Sequence, residues 1–221
     1  MHSVSSTLVS QEIPATQDDR TSPHSPEAPV AHSVWKTSIL FTLVTAVLFG
    51  LVYPLVMTGL AHVLFPRQAS GSLILRNGQI IGSELLAQSF TSDRYFHPRP
   101  SVAGNGYDAT SSGGSNLAQS NAKLAARIQG DIDKLAQANP GKPVPIDAVT
   151  TSASGLDPDI TPDNAYYQAP RVAKARGMSE DAVRQLISEH IEKRDLGFLG
   201  EPRVNVLELN LALDGEAGSS H

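Results

Sequence analysis

The stretch Ile39-Leu-Phe-Thr-Leu-Val-Thr-Ala-Val-Leu-Phe-Gly-Leu-Val-Tyr-Pro-Leu-Val-Met-Thr-Gly-Leu-Ala-His-Val-Leu-Phe65 runs for 27 residues without an Asp, Glu, Lys or Arg. As a helix, at ~1.5 Å per residue, it reaches ~40 Å, more than the ~30 Å hydrocarbon core of a bilayer. Trp35 and Lys36 precede it and Arg67 follows, as interfacial anchors do. Residues 35–65 therefore read as a transmembrane helix with its core at 39–58. A cleaved signal peptide would need a basic start, a shorter apolar run and a small-residue cleavage site. Ahead of this run Glu12, Asp18, Asp19 and Glu27 outnumber Arg20 and Lys36, and no clean A-x-A follows.

The span carries further information. Thr42, Ala46 and Gly50 recur every four residues and form a small-residue stripe, the pattern that lets helices approach closely in lipid. Pro54 continues the spacing and should kink the helix or cost it one hydrogen bond. Docking against partner helices explains these features better than a lone anchor does. Charge does not settle the orientation, because Arg20 and Lys36 on one side balance Arg67 and Arg76 on the other. A short tail inside and a large domain outside is the simpler layout.

Residues 1–34 hold seven Ser, four Pro and no aromatic residue. Such a tail buries too little apolar surface to offset its ordering entropy, and disorder is expected. Residues 67–214 read as one domain, with 215–221 a flexible end. Ser72–Leu75, Asn77-Gly78 and Gln79–Ile81 form a hairpin pattern around a tight turn. Ser83 is a cap for a short helix through Phe90. Tyr95-Phe-His-Pro-Arg-Pro100 must be extended, and Ala103–Ser120 is a long Gly/Asn/Ser loop. Leu124, Ile128, Ile132 and Leu135 mark a helix over Asn121–Ala138. Val144–Val149 reads as a strand or an extended piece. Thr161-Pro162 opens a helix that Gly177 closes, with Pro170 a candidate break, and Ser179 caps another. In Val204–Leu213, Leu207, Leu209, Leu211 and Leu213 alternate with Glu208, Asn210 and Ala212. That alternation predicts a strand, with a bulge near Leu207. The expected fold is α+β: one N-terminal transmembrane helix followed by one mixed α/β domain outside the cytoplasm.

Net charge is −5 and the pI near 5.8, which excludes the basic face of a nucleic-acid binder. Cysteine is absent, so disulfides, thiolate metal sites and a Cys nucleophile are excluded. There is no phosphate-binding G-x-x-x-x-G-K-[ST] loop and no H-E-x-x-H. Asp133-Lys134 runs into Leu135 within a helix pattern, unlike the phosphorylated D-K-T-G loop of P-type pumps. The seven His are scattered, three of them in the tail, and no metal site is expected. Ser112, Gly113, Gly114, Ser115 and Asn116 are either an anion-binding nest of backbone N–H groups and hydroxyls or a tight surface turn. Asp157, Asp159 and Asp163 are either a cation funnel or a solvated helix start. His97 and Asp93 with a serine such as Ser115 would be needed for the alternative reading, a membrane-anchored extracytoplasmic hydrolase.

The motifs in order are Tyr53-Pro54, Phe65-Pro66, Gly71-Ser-Leu73, Gln88-Ser-Phe90, Tyr95-Phe-His-x-Arg-Pro-Ser101 and Ser112-Gly-Gly-Ser-Asn-Leu117. Val149-Thr-x-Ser-Ala-Ser-Gly-Leu-Asp157, Arg171-Val-Ala-Lys-Ala-Arg176 and Val204-Asn-x-x-Glu-Leu-Asn-Leu-Ala-Leu-Asp214 follow. Over about residues 38–214 this series resembles the C subunit of the bacterial Kdp potassium-transporting P-type ATPase. The resemblance implies a single-pass inner-membrane subunit with a cytoplasmic N-terminus and a periplasmic domain. It implies a complex with a channel-like A subunit, an ATP-hydrolysing B subunit and a small F subunit. The C subunit would be non-catalytic, needed for assembly, and a catalytic chaperone that supports ATP binding by the B subunit and potassium uptake. The family attaches a nucleotide role to the loop at Ser112–Ser115. A periplasmic loop cannot touch cytoplasmic ATP, so ATP is expected to act only through the complex, with potassium the transported ion and no cofactor bound firmly. The long tail departs from the family pattern.

Overall fold

A computed structural model describes residues 31–76 and 78–219; most of the expected tail and Asn77 of the hairpin turn lie outside the described residues. The described chain divides into two compact units between Val56 and Met57. α1 (Ala31–Val47) passes into a π-helical turn over Leu48–Val52 and then into α2 (Tyr53–Leu64). The helix is continuous and apolar over Val34–Leu64. Pro54 offers no N–H to the carbonyl four residues back, and the helix widens just before it, with the Tyr53 N–H reaching the Leu48 carbonyl. The irregularity expected at Pro54 takes the form of this widened turn.

From Met57 onward the fold is mainly helical. Phe65 sets off α3 (Pro66–Ala69), and β1 (Leu73–Arg76) pairs antiparallel with β2 (Gln79–Ser83). Gly78 sits at φ +78°, the left-handed conformation a tight hairpin turn requires. No helix follows Ser83. Its hydroxyl donates to the Gly71 carbonyl and accepts from the Leu85 N–H, which closes a local turn instead. α4 (Ala122–Ala138) starts at Asn121, whose side chain caps the Lys123 N–H.

Val144–Val149 is not a strand. Ile146–Ala148 form a short 3₁₀ turn that carries the buried Asp147 to three donors: the Thr161 N–H at 2.8 Å, the Thr161 hydroxyl at 3.1 Å and Asn164 Nδ2 at 3.1 Å. A buried carboxylate demands such partners, and this demand sets the local backbone. β3 (Asp159–Ile160) leads to α5 (Pro162–Arg176), capped by Thr161 and closed by Gly177 at φ +69°. α5 runs through Pro170 unbroken. The buried face of Ala165, Ala169, Val172 and Ala173 outweighs the loss of one hydrogen bond there. α6 (Glu180–Glu189) follows its Ser179 cap.

The largest correction lies at the C-terminal end. Only β4 (Val204–Asn205) is extended, pairing antiparallel with β3. Val206–Ser219 is α7, so no strand and no bulge exist at Leu207, and the helix enters the segment expected as a flexible end. Leu, Glu and Ala favour helix, and Asn205 starts it by accepting from the N–H groups of Leu207 and Glu208. Val206, Leu209 and Leu213 then lie on one helical face in the core, beside Phe96, Ile160, Val183 and Ile187. Two small sheets carry the β content, so the domain is α+β with helix dominant.

Candidate functional site

The segment Tyr95–Ser101 is the spine on which the other motifs hang. The Phe96 side chain is fully buried, and its backbone N–H and carbonyl both bond the buried Asn210 of α7, at 2.8 and 3.0 Å. The His97 backbone does the same with Gln168 of α5, at 2.8 and 3.0 Å. Arg99 reaches Asp157 at 3.0 Å and the Thr150 and Thr151 carbonyls. The Ser101 hydroxyl donates to the Gly155 carbonyl at 2.6 Å and accepts from the Tyr107 N–H. A chain that lacks ladder partners must satisfy its backbone groups this way. Arg176, whose side chain is 2 % exposed, closes the far end. It pairs with Asp214 at 2.9 Å, donates to the Leu213 and Arg94 carbonyls, and lies 4.9 Å over the Tyr95 ring.

The Ser112–Asn116 loop is held by the same framework. The Gly113 N–H donates to the Ser154 carbonyl at 2.8 Å, and the Ser112 hydroxyl joins it at 3.0 Å. A Cβ on Gly114 would stand 3.1 Å from the Ala153 carbonyl oxygen, and one on Gly155 would stand 2.7 Å from the Gly113 oxygen. The glycines therefore let two backbones touch. One N–H of the expected nest is committed to this contact. Asn116 takes φ +52°, a conformation Asn tolerates better than most residues.

His97, Asp93 and Ser115 do not form a triad. The His97 ring donates to the Ser92 carbonyl at 3.1 Å, and the Asp93 carboxylate lies 3.7 Å from Arg171. Among the described residues no hydrogen bond links Ser115 to either. Burial, reinforced by the Arg171 charge, holds the His97 imidazole below its usual pKa, so it stays neutral at lower pH than a free histidine.

Between α4 and α5 lies a cavity of about 380 Å³ that the sequence reading missed, lined by His97, Tyr107, Asn139, Tyr167, Gln168 and Arg171 among others. The available signal was Asn164, Gln168 and Arg171 at four- and three-residue spacing, a polar stripe beside the apolar face of Ala165, Ala169 and Val172. These groups largely satisfy one another: Gln168 bonds Asn164 at 3.0 Å and Arg171 at 2.7 Å. The three acids separate similarly. Asp157 pairs with Arg99 and Asp159 with Arg203, while Asp163 sits in the first turn of α5. Among the described residues no three His, Cys, Asp or Glu side chains are grouped to hold a metal.

In the span, Thr42 and Ala46 lie in α1, Gly50 in the π turn and Pro54 at the start of α2. A Cβ on Gly50 would meet nothing within 4 Å.

A family model described as "K+-transporting ATPase, c chain" matches residues 35–215. The chain belongs to the KdpC family. A KdpC subunit of a potassium-transporting ATPase from Koribacter versatilis is 59% identical over 179 residues, 81% of this chain and 93% of that relative. One from Acidobacterium capsulatum is 59% identical over 180 residues, 81% and 96% of the two chains. One from Rhodopseudomonas palustris is 54% identical over 191 residues, again 81% and 96%. KdpC membership makes the chain an accessory subunit in potassium transport, and among the described residues one apolar helix is long enough to cross a membrane. Some of the motifs behind the resemblance supply the frame around Tyr95–Ser101: Asn210 bonds Phe96, Asp157 pairs with Arg99, and the Gly155 carbonyl accepts from Ser101.

Proposed function

We propose that this chain is the non-catalytic assembly subunit of an ATP-driven potassium importer. Its span docks against the channel-like A subunit, and its periplasmic domain covers the potassium entrance and steadies that subunit. The complex includes the ATP-hydrolysing B subunit and a small F subunit, sits in the inner membrane, and holds this chain with its N-terminus in the cytoplasm. Support for ATP binding by the B subunit, the catalytic-chaperone role, then passes through the span. It requires the domain to favour one of two states of the partner. ATP need not touch the Ser112–Asn116 loop, whose Gly113 N–H is already bonded to Ser154. Potassium is the cargo, and the chain's own contacts are with partner helices and lipid.

The observation that carries this reading is the family match over residues 35–215, which includes a helix of membrane length with Thr42, Ala46 and Gly50 spaced every four residues along it. Gly50→Leu should therefore leave the chain folded and lower the yield of co-purified A and B subunits about tenfold, whereas Leu48→Ala should leave it near normal. Equal yields from mild-detergent co-purification would remove the docking role.

A further inference from the structure

The hairpin β1–β2 turns an apolar face outward. Leu73, Leu75 and Ile80 are 39%, 64% and 62% exposed. Leu75 stands directly across from Ile80 in the register, so these two side chains share one face, and Leu73 lies two residues before Leu75 on the same strand, across a bulge and opposite the buried Ser83. Among the described residues nothing buries Leu75 or Ile80.

Where this hairpin sits in the chain decides what meets it. The apolar helix ends at Leu64, and the first charge after it is Arg67, the level at which a basic side chain meets phosphate headgroups. From there a run of backbone bonds leaves no slack: Phe65 N–H to Ala61, Ser70 to Pro66, Gly71 to Gln68, and Ser72 back to Arg67 at 3.0 Å. Arg67 also forms an ion pair with Glu84, just past the end of β2, and the Glu84 N–H bonds the Ser72 carbonyl. The hairpin is therefore tied at its base to the residue that marks the headgroup level. Arg76, at the end of β1, is exposed and adds a second cation beside the apolar face. Exposed aliphatic side chains flanked by arginine match the boundary between headgroups and acyl chains, where apolar burial and attraction to phosphate act together.

We propose that the β1–β2 hairpin is a second membrane contact, lying in the outer interface of the lipid bilayer with Leu73, Leu75 and Ile80 among the upper acyl carbons. The contact rests on the reading of residues 35–65 as a span.

The test uses the full chain reconstituted in phosphatidylcholine vesicles brominated near the headgroup end of the acyl chains. Trp35 is the chain's single tryptophan and reports insertion of the span by itself. In a Trp35→Phe background, Leu75→Trp or Ile80→Trp should be quenched at least about twofold more than Ile146→Trp, an exposed control elsewhere in the domain. Quenching of Leu75→Trp no greater than that of Ile146→Trp, with Trp35 still quenched, overturns the hairpin contact and leaves the span intact. An unquenched Trp35 overturns both. Loss of the hairpin quenching when the A and B subunits are bound overturns the proposal in favour of a protein partner on that face. Persistence of the quenching in the complex supports it.

Discussion

Asp159 sits at the junction of β3 and β4, 3.3 Å from Arg203 yet also close to Asp157 and Glu192. Burial, then repulsion from those two carboxylates, pushes its pKa up to about 6 despite Arg203 and Asn205. The folded chain thus holds this proton more tightly than the unfolded one, whose aspartates titrate near ~3.9. Its contribution to stability is complete below that lower value and is lost as pH rises through 6. Asp159→Asn should flatten the fall in melting temperature between about pH 4 and about pH 6 and raise the melting temperature above that range relative to wild type. Arg176 poses the opposite case, a buried cation that depends on one carboxylate. Asp214→Ala should cost about 3 kcal/mol in denaturant unfolding of the full chain, whereas removing Glu180, whose pair with Arg184 is solvent-exposed, should cost under about 1 kcal/mol. Gln168 and Asn210 show why such residues escape a sequence reading. Each serves a single backbone residue, at 71 and 114 positions' separation, and nothing local announces the partner.

Among the elements, the caps were legible and the misread elements have physical causes. Asn121, Thr161-Pro162, Gly177 and Ser179 bound helices where their chemistry requires it. α7 was read as a strand because alternating leucines satisfy a period of two, while the same segment places Val206, Leu209 and Leu213 on one face of a helix. Its start was signalled by Asn205 followed three residues later by Glu208, the pattern of a capping box. Asn205→Ala should therefore cost about 2 kcal/mol, since it removes the cap and the bonds to Glu84 and Asp159. Asn121→Ala, which removes one cap bond at the surface, should cost about half as much in the same thermal unfolding assay. Ser83 and Val144–Val149 were misread for a related reason. A hydroxyl bonded to Gly71 and a carboxylate bonded to Thr161 and Asn164 overrode local propensity.

For the whole molecule, an apolar helix of membrane length followed by a mixed α+β region follows from the charge-free run and the cap spacing, whereas the dominance of helix does not, because α7 carries a strand-like alternation. The cavity beside α4 and the skeleton around Tyr95–Ser101 do not, because they depend on contacts between distant segments. Orientation is the remaining property of this scale, and the balanced Arg and Lys count cannot supply it. A reporter active only in the periplasm should work when fused after His221 and fail when fused near Asp19. The reverse pattern would turn the proposed arrangement over.

The contact of Gly113 and Gly114 with the Ser152–Gly155 backbone bears on how mutational tolerance in this family is interpreted. In a saturation scan Gly114 and Gly155 would score among the least replaceable positions, since any side chain there meets a carbonyl oxygen at 3.1 or 2.7 Å. Gly113, with nothing within 4 Å of its would-be Cβ, should accept alanine. An active loop would show intolerance centred on its hydroxyls and free N–H groups. A backbone seam would show it at Gly114 and Gly155 and spare Gly113, so the distribution of sensitivity over Ser112–Asn116 and Gly155 is itself a readout of what the loop is for.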